Sequence, residues 1–143
     1  MLSRRTKYAL KALVALARHP GPDPMRSQDI AETETMPRKF LEAILHQLRN
    51  AGIVRSVKGP GGGYSLARPA ETVTIGQVIR LFDGPLALIP CASQTAYVPC
   101  EDCQDEAGCR VRWAMLQVRE STSRLLDNMT LATLASRDST SMP

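Results

Sequence analysis

The chain has 143 residues, of which 43% are hydrophobic and 22% charged, and its net charge is +4 at neutral pH. This length suits one small domain with an appendage and excludes a large multidomain enzyme. The ordinary composition argues against general disorder, and no apolar run approaches the roughly 18 residues that span a bilayer. The charge is uneven, because residues 1–70 hold 12 Lys and Arg against 5 Asp and Glu, whereas residues 71–143 hold 6 against 9. We therefore expect any anionic partner to bind the first half of the chain.

The beginning of the chain superficially resembles an export signal, with basic residues followed by apolar and small ones. Lys11 interrupts the apolar run, however, and Leu10, Leu13, Val14 and Ala17 recur at helical spacing. This pattern predicts a core helix. With no export signal and no membrane span, we expect a cytoplasmic protein whose thiols stay reduced.

A proline-rich loop over residues 19–24 separates this helix from a predicted pair of helices. Ser27 is expected to cap a short helix over residues 28–33, and Pro37 to occupy the first turn of the next helix. Gly52 is expected to end that helix. Its apolar stripe is formed by Phe40, Leu41, Ile44, Leu45 and Leu48. Two helices joined by a tight connection indicate a helix-turn-helix.

A β-hairpin is predicted directly after the helix pair. Residues 53–57 and 64–67 have strand patterns, and the connection between them contains four glycines and a proline within six residues. A basic hairpin after a helix-turn-helix is typical of a wing. The fold class we predict is mainly α, a winged helix-turn-helix domain with a small β-hairpin wing and a long C-terminal dimerisation helix.

The second half of the chain is predicted to contain a helix after residues 72–75, ending at 83–85, and a loop over 86–108. From Arg110 a long helix is predicted, with an apolar seam suited to a partner helix. Trp113 lies at the beginning of this long helix and is expected to pack. The seam residues are Val111, Met115, Val118, Leu125 and Met129. We divide the chain into a DNA-binding domain (1–84), a cysteine-rich loop (85–109), and a dimerisation helix with a tail (110–143).

The basic residues of the first half are the candidates for DNA binding. Arg38 and Lys39 begin the second helix of the pair, where recognition helices approach base edges and phosphates. One turn later, Glu42 is suited to accept a hydrogen bond from a cytosine amino group. The full candidate set is Arg4, Arg5, Ser27, Gln28, Arg38, Lys39, Glu42, Arg55, Lys58, Gly59, Gly61, Gly62 and Tyr64.

Four cysteines form the second candidate site: Cys91, Cys100, Cys103 and Cys109. Such spacing allows one loop to wrap a soft metal. Acidic neighbours raise thiol pKa values, which disfavours a thioredoxin-like enzyme using Cys100 and Cys103. Because no other catalytic set accompanies them, we do not expect an enzyme. Zinc in a structural site and free thiols remain open alternatives.

Several motifs together carry a family resemblance. They are residues 58–64 (KGPGGGY), residues 40–42 (FLE) and 48–54 (LRNAGIV) before them, residues 6–10, the cysteine loop, and residues 127–131. The combination covers nearly the whole chain and resembles the IscR/NsrR/RirA-type family of winged-helix iron–sulfur transcriptional regulators. The resemblance implies a homodimer that binds a pseudo-palindromic operator in double-stranded DNA, with Lys39, Glu42 and Lys58 in contact with the DNA.

The resemblance also implies an iron–sulfur cluster, [2Fe-2S] or [4Fe-4S], that senses redox, iron or nitric oxide status. Cys91, Cys103 and Cys109 match the family's cluster-binding cysteines. The family's fourth-ligand positions hold Arg112 and Lys7 here, neither of which binds iron. We therefore hypothesise that Cys100 is the fourth ligand. The sequence leaves a zinc-stabilised or metal-free DNA-binding regulator as the alternative, and leaves open whether transcription is repressed or activated.

Overall fold

The computed structural model describes residues 2–138 and residue 140, which form six α-helices and one two-stranded antiparallel hairpin. In chain order the elements are α1 (Arg4–Arg18), α2 (Ser27–Glu34), α3 (Arg38–Asn50), β1 (Val54–Val57), β2 (Gly63–Leu66), α4 (Ile75–Asp83), α5 (Arg110–Asn128) and α6 (Leu131–Ala135). The predicted mainly helical class, with a wing after a helix-turn-helix, is confirmed. None of these helices is long and apolar enough to cross a membrane.

The core is built around α1, which contacts α2, α3, α4 and α6. Its face with Ala9, Ala12 and Leu13 is completely buried. Helix α3 contributes the predicted stripe, in which Leu41, Ile44, Leu45 and Leu48 are inaccessible to solvent. Phe40 is the exception, since it is 37% exposed and packs edge-to-face on Tyr8 with ring centroids 5.6 Å apart.

The boundaries of the helix pair differ from the prediction at two positions. Ser27 is the first residue of α2 and not its cap; the N-cap is Arg26, which makes no side-chain capping bond. The cause is Met25, whose backbone pairs with Tyr64 and holds the chain extended up to Arg26. Pro37 is likewise the N-cap of α3 and not a residue of its first turn.

Gly52, two residues beyond the last residue of α3, stops this helix as predicted and has a φ of +72°. The backbone amide of Gly52 donates to the Arg49 carbonyl, and that of Ile53 donates to the Leu48 carbonyl, both at 3.0 Å. This pair of bonds is a Schellman motif, which favours glycine at the left-handed position. The motif turns the chain directly into β1.

The wing consists of β1 and β2, paired so that Val54 faces Leu66 and Val57 faces Gly63. Met25 pairs with Tyr64 of β2 as a single-residue antiparallel bridge, which adds a third segment to the hairpin. The sequence pattern did not reveal this pairing. Its amide donates to the Tyr64 carbonyl at 2.8 Å, and the Tyr64 amide donates to the Met25 carbonyl at 2.7 Å. The wing is thereby fastened to the residues that lead into α2.

Helix α4 begins with a capping box in which the Thr74 side chain accepts from the Gln77 amide and Gln77 accepts from the Thr74 amide. Its outer face is joined to α5 by a bidentate ion pair. Arg80 donates from its two Nη atoms to the two carboxylate oxygens of Asp127, at 2.6 and 2.8 Å. Gly76 lies under this pair, and an added Cβ there would collide with the Asp127 carboxylate.

Helix α6 was not anticipated from the sequence. The chain leaves α5 at Met129, whose carbonyl accepts from the Ile75 amide at 2.9 Å. The Leu131 amide then donates to the Val73 carbonyl at 2.8 Å, and the Leu131 side chain is 1% exposed in the core beside α1. The C-terminal segment thus returns to the core around α1.

Helix α5 itself buries no residue within the described chain. Of the predicted seam, Val111, Val118 and Leu125 are exposed, at 64%, 41% and 63%. Trp113, which was expected to pack, is 65% exposed within the described chain.

Replacing Asp127 by asparagine tests the Arg80 ion pair. The hydrogen bonds from Arg80 lower the pKa of Asp127 below its ordinary value, so the carboxylate stabilises the fold above about pH 4 and this contribution is lost as the pH falls below it. We expect Asp127→Asn to lower the free energy of unfolding at pH 7 by up to about 1 kcal/mol, since both side chains are partly exposed. Urea unfolding at pH 7 and pH 3 measures the effect; a difference from wild type that is equal at both pH values would contradict it.

Candidate nucleic-acid interface and cysteine-lined cavity

A groove of about 620 Å³ lies between the start of α2, one face of α3 and the wing. We call it the basic groove, because four cationic side chains line it. Its lining residues are Arg26, Ser27, Gln28, Arg38, Arg49, Ser56, Val57, Lys58, Gly59, Pro60, Gly62, Gly63 and Tyr64. Seven of the sequence candidates are thereby brought together: Ser27, Gln28, Arg38, Lys58, Gly59, Gly62 and Tyr64.

Two arginines of the basic groove were missed by the sequence analysis. Arg26 donates to the Pro60 carbonyl of the wing at 3.4 Å. Arg49 donates to the Ser56 hydroxyl at 3.5 Å and contacts His46 Nδ1 at 3.1 Å. Arg49 follows Arg38 by eleven residues, about three helical turns, so helical spacing alone was a signal that both lie on one face of α3.

Glu42 lies beside the groove and is held by two of its lining residues. Arg38 Nε donates to Glu42 Oε1 at 3.0 Å, and the Ser27 hydroxyl donates to the same oxygen at 3.5 Å. These bonds orient a carboxylate on the exposed face of α3, where Lys39 is also exposed. The exposed face of α3 thus presents the hydrogen-bond donors Arg38 and Lys39 beside one acceptor, the Glu42 carboxylate.

The remaining candidates lie outside the lining of the groove. Arg5 donates to Gln47 Oε1 at 2.7 Å and stacks over the Phe82 ring, which places it where α1, α3 and α4 meet. Arg55 donates to the Ser65 hydroxyl at 3.0 Å and lines a different cavity. Arg4 and Gly61 are exposed.

All four cysteines line a second cavity, of about 470 Å³, between the loop and the start of α5. Cys91 is buried, Cys103 and Cys109 are half-buried, and Cys100 is exposed. The other lining residues are Ile89, Pro90, Val98, Pro99, Asp102, Glu106, Val111 and Arg112. The cavity is therefore a thiol-rich pocket with an apolar wall.

The electrostatics of this cavity agree with the prediction of elevated thiol pKa values. The Cys100 thiol donates to Asp102 Oδ1 at 3.0 Å, which raises the pKa of Cys100 and lowers that of Asp102. Desolvation, followed by the neighbouring Cys109 thiol, raises the pKa of Cys103. Without a bound cation these thiols favour the protonated form at neutral pH.

A polar network fastens the loop to α5 and was not anticipated from the sequence. The Tyr97 hydroxyl donates to Glu106 Oε2 at 2.6 Å, which raises the pKa of Tyr97. Glu106 Oε1 forms an ion pair with Arg112 Nε at 3.0 Å, and this nitrogen donates to the Cys91 carbonyl at 3.1 Å. Two turns further along α5, Arg119 donates to the Ala92 carbonyl at 2.9 Å.

The donor set of the cavity fits a soft metal centre. Four thiols without disulfides surround one space, and thiolates are the ligands that zinc and iron–sulfur clusters prefer. Among residues 2–138 and 140, no three His, Cys, Asp or Glu side chains already converge as a site for a single metal ion. The loop would therefore have to adjust for these thiols to hold a metal centre.

Comparison with known proteins gives consistent matches along the whole chain. The model of the Rrf2 family, described as an iron-dependent transcriptional regulator, matches residues 2–137. An rrf2-like HTH-type regulator of Rhodobacter capsulatus is 45% identical, over 92% of this chain and 89% of that protein. The regulator IscR of Sodalis glossinidius is 34% identical, over 96% of this chain and 79% of its own length.

Solved structures show the same similarity. CymR of Bacillus subtilis, called a global cysteine regulator, superposes with a TM-score of 0.79 at 32% identity, over 96% of this chain and 98% of its own. IscR of T. potens superposes with a TM-score of 0.75 at 28% identity, over 100% and 92% of the two chains. These relatives are named as regulators and not as enzymes, as expected from the sequence. The chain belongs to the Rrf2 family of transcriptional regulators.

Proposed function

We propose that this chain acts as a homodimeric regulator that binds a pseudo-palindromic DNA operator and whose affinity depends on an iron–sulfur cluster in the cysteine loop. The observation that supports this function best is the combination of two sites in one short chain. The basic groove lies beside the helix-turn-helix. The cavity lined by four thiols lies between the cysteine loop and the start of the exposed helix α5.

The basic groove has the charge and shape that a DNA backbone requires. With α3 in a major groove, Arg38 and Lys39 at its N-terminus reach base edges, and Glu42 accepts from a cytosine amino group. The wing then brings Lys58 to the phosphates, together with the backbone amides of its glycines. Arg26 and Arg49 add two cations between these contacts.

The free face of α5 supports a homodimer. Val111, Val118 and Leu125 are all exposed and, at intervals of seven residues, lie on one side of a helix that buries none of its residues within the described chain. A row of large apolar side chains of this kind favours burial against a second copy. A two-fold pairing along α5 places two recognition helices on one operator, whose half-sites then repeat the symmetry of the protein.

Cys91, Cys103 and Cys109 are the thiols that would hold the cluster, and Cys100 is the exposed fourth thiol of the same cavity. When bound, such a cluster supplies a centre that changes on oxidation, iron loss or reaction with nitric oxide. Arg112 and Arg119 connect the loop that carries these thiols to α5. The Arg80–Asp127 pair connects α5 to α4, and Gln47 of α3 donates to the Leu81 carbonyl of α4 at 3.1 Å. A difference in the stability of the loop is thus able to bias the position of α3.

Operator binding by anaerobically prepared protein, with and without its cluster, tests this function. At one fixed salt concentration we expect the dissociation constants of the two forms to differ by about 5- to 150-fold, the usual range of coupling between two sites. Fluorescence anisotropy with a labelled operator measures both constants. Equal constants for the two forms would refute the sensing function.

Substitutions in the basic groove test the DNA-binding surface. We expect Lys58→Ala and Arg49→Ala each to weaken binding of all duplex sequences and to reduce the slope of log affinity against log salt by about 0.9 per lost phosphate contact. Arg55→Ala is the matched control, since it removes a cation from the same hairpin outside the groove. A loss of affinity with Arg55→Ala as large as that with Lys58→Ala would contradict the assignment of the groove.

A metal-free regulator that responds to thiol oxidation is a second candidate function. Two observations favour it: the similarity to CymR, which has also been solved in an oxidised form from Staphylococcus aureus, and the neighbourhood of the Cys103 and Cys109 thiols in one cavity, where desolvation and then Cys109 raise the pKa of Cys103. Iron, sulfide and zinc analysis of anaerobically purified protein separates these functions. Iron with sulfide supports the cluster, zinc alone supports a structural site, and neither supports the thiol-based regulator.

A further inference from the structure

We propose, on the basis of the cluster function above, that the carboxylate of Glu106 and not the thiol of Cys100 supplies the fourth protein ligand of the metal centre. The centre is then held by three thiolates and one oxygen. The proposal rests on the hydrogen bonding of Glu106, on the commitments of the other acidic residues, and on the spacing of the loop.

Glu106 Oε1 is shielded from solvent and receives no hydrogen bond, although Glu106 lines the cavity shared by the four thiols. Its neighbour Arg112 Nε lies 3.0 Å away, but the single hydrogen of that nitrogen is directed at the Cys91 carbonyl. The other oxygen, Oε2, is occupied by the Tyr97 hydroxyl. A buried carboxylate oxygen without a donor is costly, and a metal cation in the cavity satisfies it.

The other acidic residues of the loop are already committed or lie elsewhere. Asp102 accepts from the Cys100 thiol, and Asp105 accepts from the backbone amide of Gly108 at 3.0 Å. Glu101 is exposed and does not line the cavity. Cys100 is the exposed member of the four cysteines. Glu106 Oε1 is therefore the buried carboxylate oxygen of the cavity lining that receives no hydrogen bond within the described residues.

The spacing of the loop places Glu106 in register with the thiols. Cys100, Cys103, Glu106 and Cys109 follow one another at intervals of three residues. The same interval separates successive ligands in the C-x2-C-x2-C run of bacterial ferredoxins, in which a loop of consecutive turns wraps a cluster. Here two such turns are visible, because the Cys103 amide donates to the Cys100 carbonyl and the Cys109 amide to the Glu106 carbonyl, both at 3.4 Å.

Four variants of the full-length chain, reconstituted anaerobically with ferrous iron and sulfide, test the assignment. Glu106→Gln keeps an acceptor for Tyr97 but removes the carboxylate, whereas Glu106→Cys restores a ligand as a thiolate. Cys100→Ser removes the rival ligand. Tyr97→Phe removes the hydrogen bond to Oε2 and leaves Oε1 untouched, so it reports a structural role of Glu106 that acts through Tyr97, whereas retention of iron by Glu106→Cys excludes one that acts through the ion pair with Arg112.

We expect Glu106→Gln to lose iron to a chelator at least about tenfold faster than wild type and to change the visible absorption spectrum. Glu106→Cys is expected to retain iron with an altered spectrum that reflects an added thiolate. Cys100→Ser and Tyr97→Phe should match wild type in iron content, spectrum and rate of iron loss. Far-UV circular dichroism of the metal-free variants confirms that each is folded.

The assignment is overturned if Cys100→Ser loses the cluster while both Glu106 variants keep the wild-type spectrum. It is also overturned if Tyr97→Phe loses iron as fast as Glu106→Gln, since Glu106 would then only position the loop. Failure of the wild-type chain to take up iron and sulfide would refute the proposed cluster function and the ligand assignment together. Uptake that is indifferent to Glu106 refutes the assignment alone.

Discussion

Replacing Gly63 by alanine should lower the free energy of unfolding by about 2–4 kcal/mol, through backbone strain and overpacking together. Gly63 begins β2 with a φ of +152°, a conformation that side chains rarely adopt. A Cβ at this position would collide with the carbonyl of Met25 and lie 3.0 Å from the Arg26 amide nitrogen. Because these neighbours are backbone atoms, the bridge between Met25 and Tyr64 must open to admit the methyl group. Urea unfolding followed by circular dichroism measures the loss.

Gly61→Ala is the control for this prediction. Gly61 lies two residues earlier in the same turn, has no positive φ, and has nothing within 4 Å of an added Cβ. We expect the stability of Gly61→Ala to stay within about 0.5 kcal/mol of wild type, as for most surface substitutions. If both alanine variants unfolded at the same urea concentration, the close approach of the wing to Met25 would not be a stabilising feature.

Replacing Leu131 by alanine should destabilise the protein by about 2–5 kcal/mol, the range for a fully buried leucine. Leu131 is the first residue of α6 and is 1% exposed within the core cluster. Its loss leaves a cavity where α6 packs on α1 and weakens the attachment of the end of α5 to the core around α1. Urea unfolding gives the difference in free energy directly.

Leu125→Ala makes the same chemical change six residues earlier, on the free face of α5, where Leu125 is 63% exposed. At a protein concentration that saturates any dimer, we expect little change in stability from this variant. Its effect should appear in sedimentation equilibrium as weaker self-association. Destabilisation equal to that of Leu131→Ala, without a change in association, would contradict the placement of these two leucines.

Elements with strong local patterns could be predicted from the sequence. Apolar periodicity predicted the stripe of α3, the hairpin and the long helix α5. The glycine at position 52 predicted the stop of α3, and its φ is indeed positive. The start of α2 was misplaced because Met25 is held by Tyr64, a contact across almost forty residues that no local pattern encodes. Helix α6 was missed because five residues carry too little periodicity, although Thr130 and Thr133 form a capping pair.

The candidate site shows the same division. The cysteines and the basic residues of the helix pair were recognisable by type and spacing. From the sequence, Glu106 was only one of the acidic neighbours of the thiols. What sets it apart is its hydrogen bonding, because Oε2 accepts from Tyr97 whereas the buried Oε1 receives no hydrogen bond. Arg5 was a candidate for DNA binding because it is a basic residue near the beginning of the chain. In the structure its guanidinium instead contacts Gln47 and the Phe82 ring.

The anchoring of α5 at both ends gives this helix a mechanical property. Its C-terminal end is held by Arg80 and by the backbone pairing of Thr74 with Thr130, and its N-terminal end carries the cysteine loop. Nineteen residues of α-helix measure about 28 Å, so a tilt of about 5° about one end moves the other by about 2.4 Å. A tilt of this size about the C-terminal end would therefore displace the cysteine loop by more than an atomic radius.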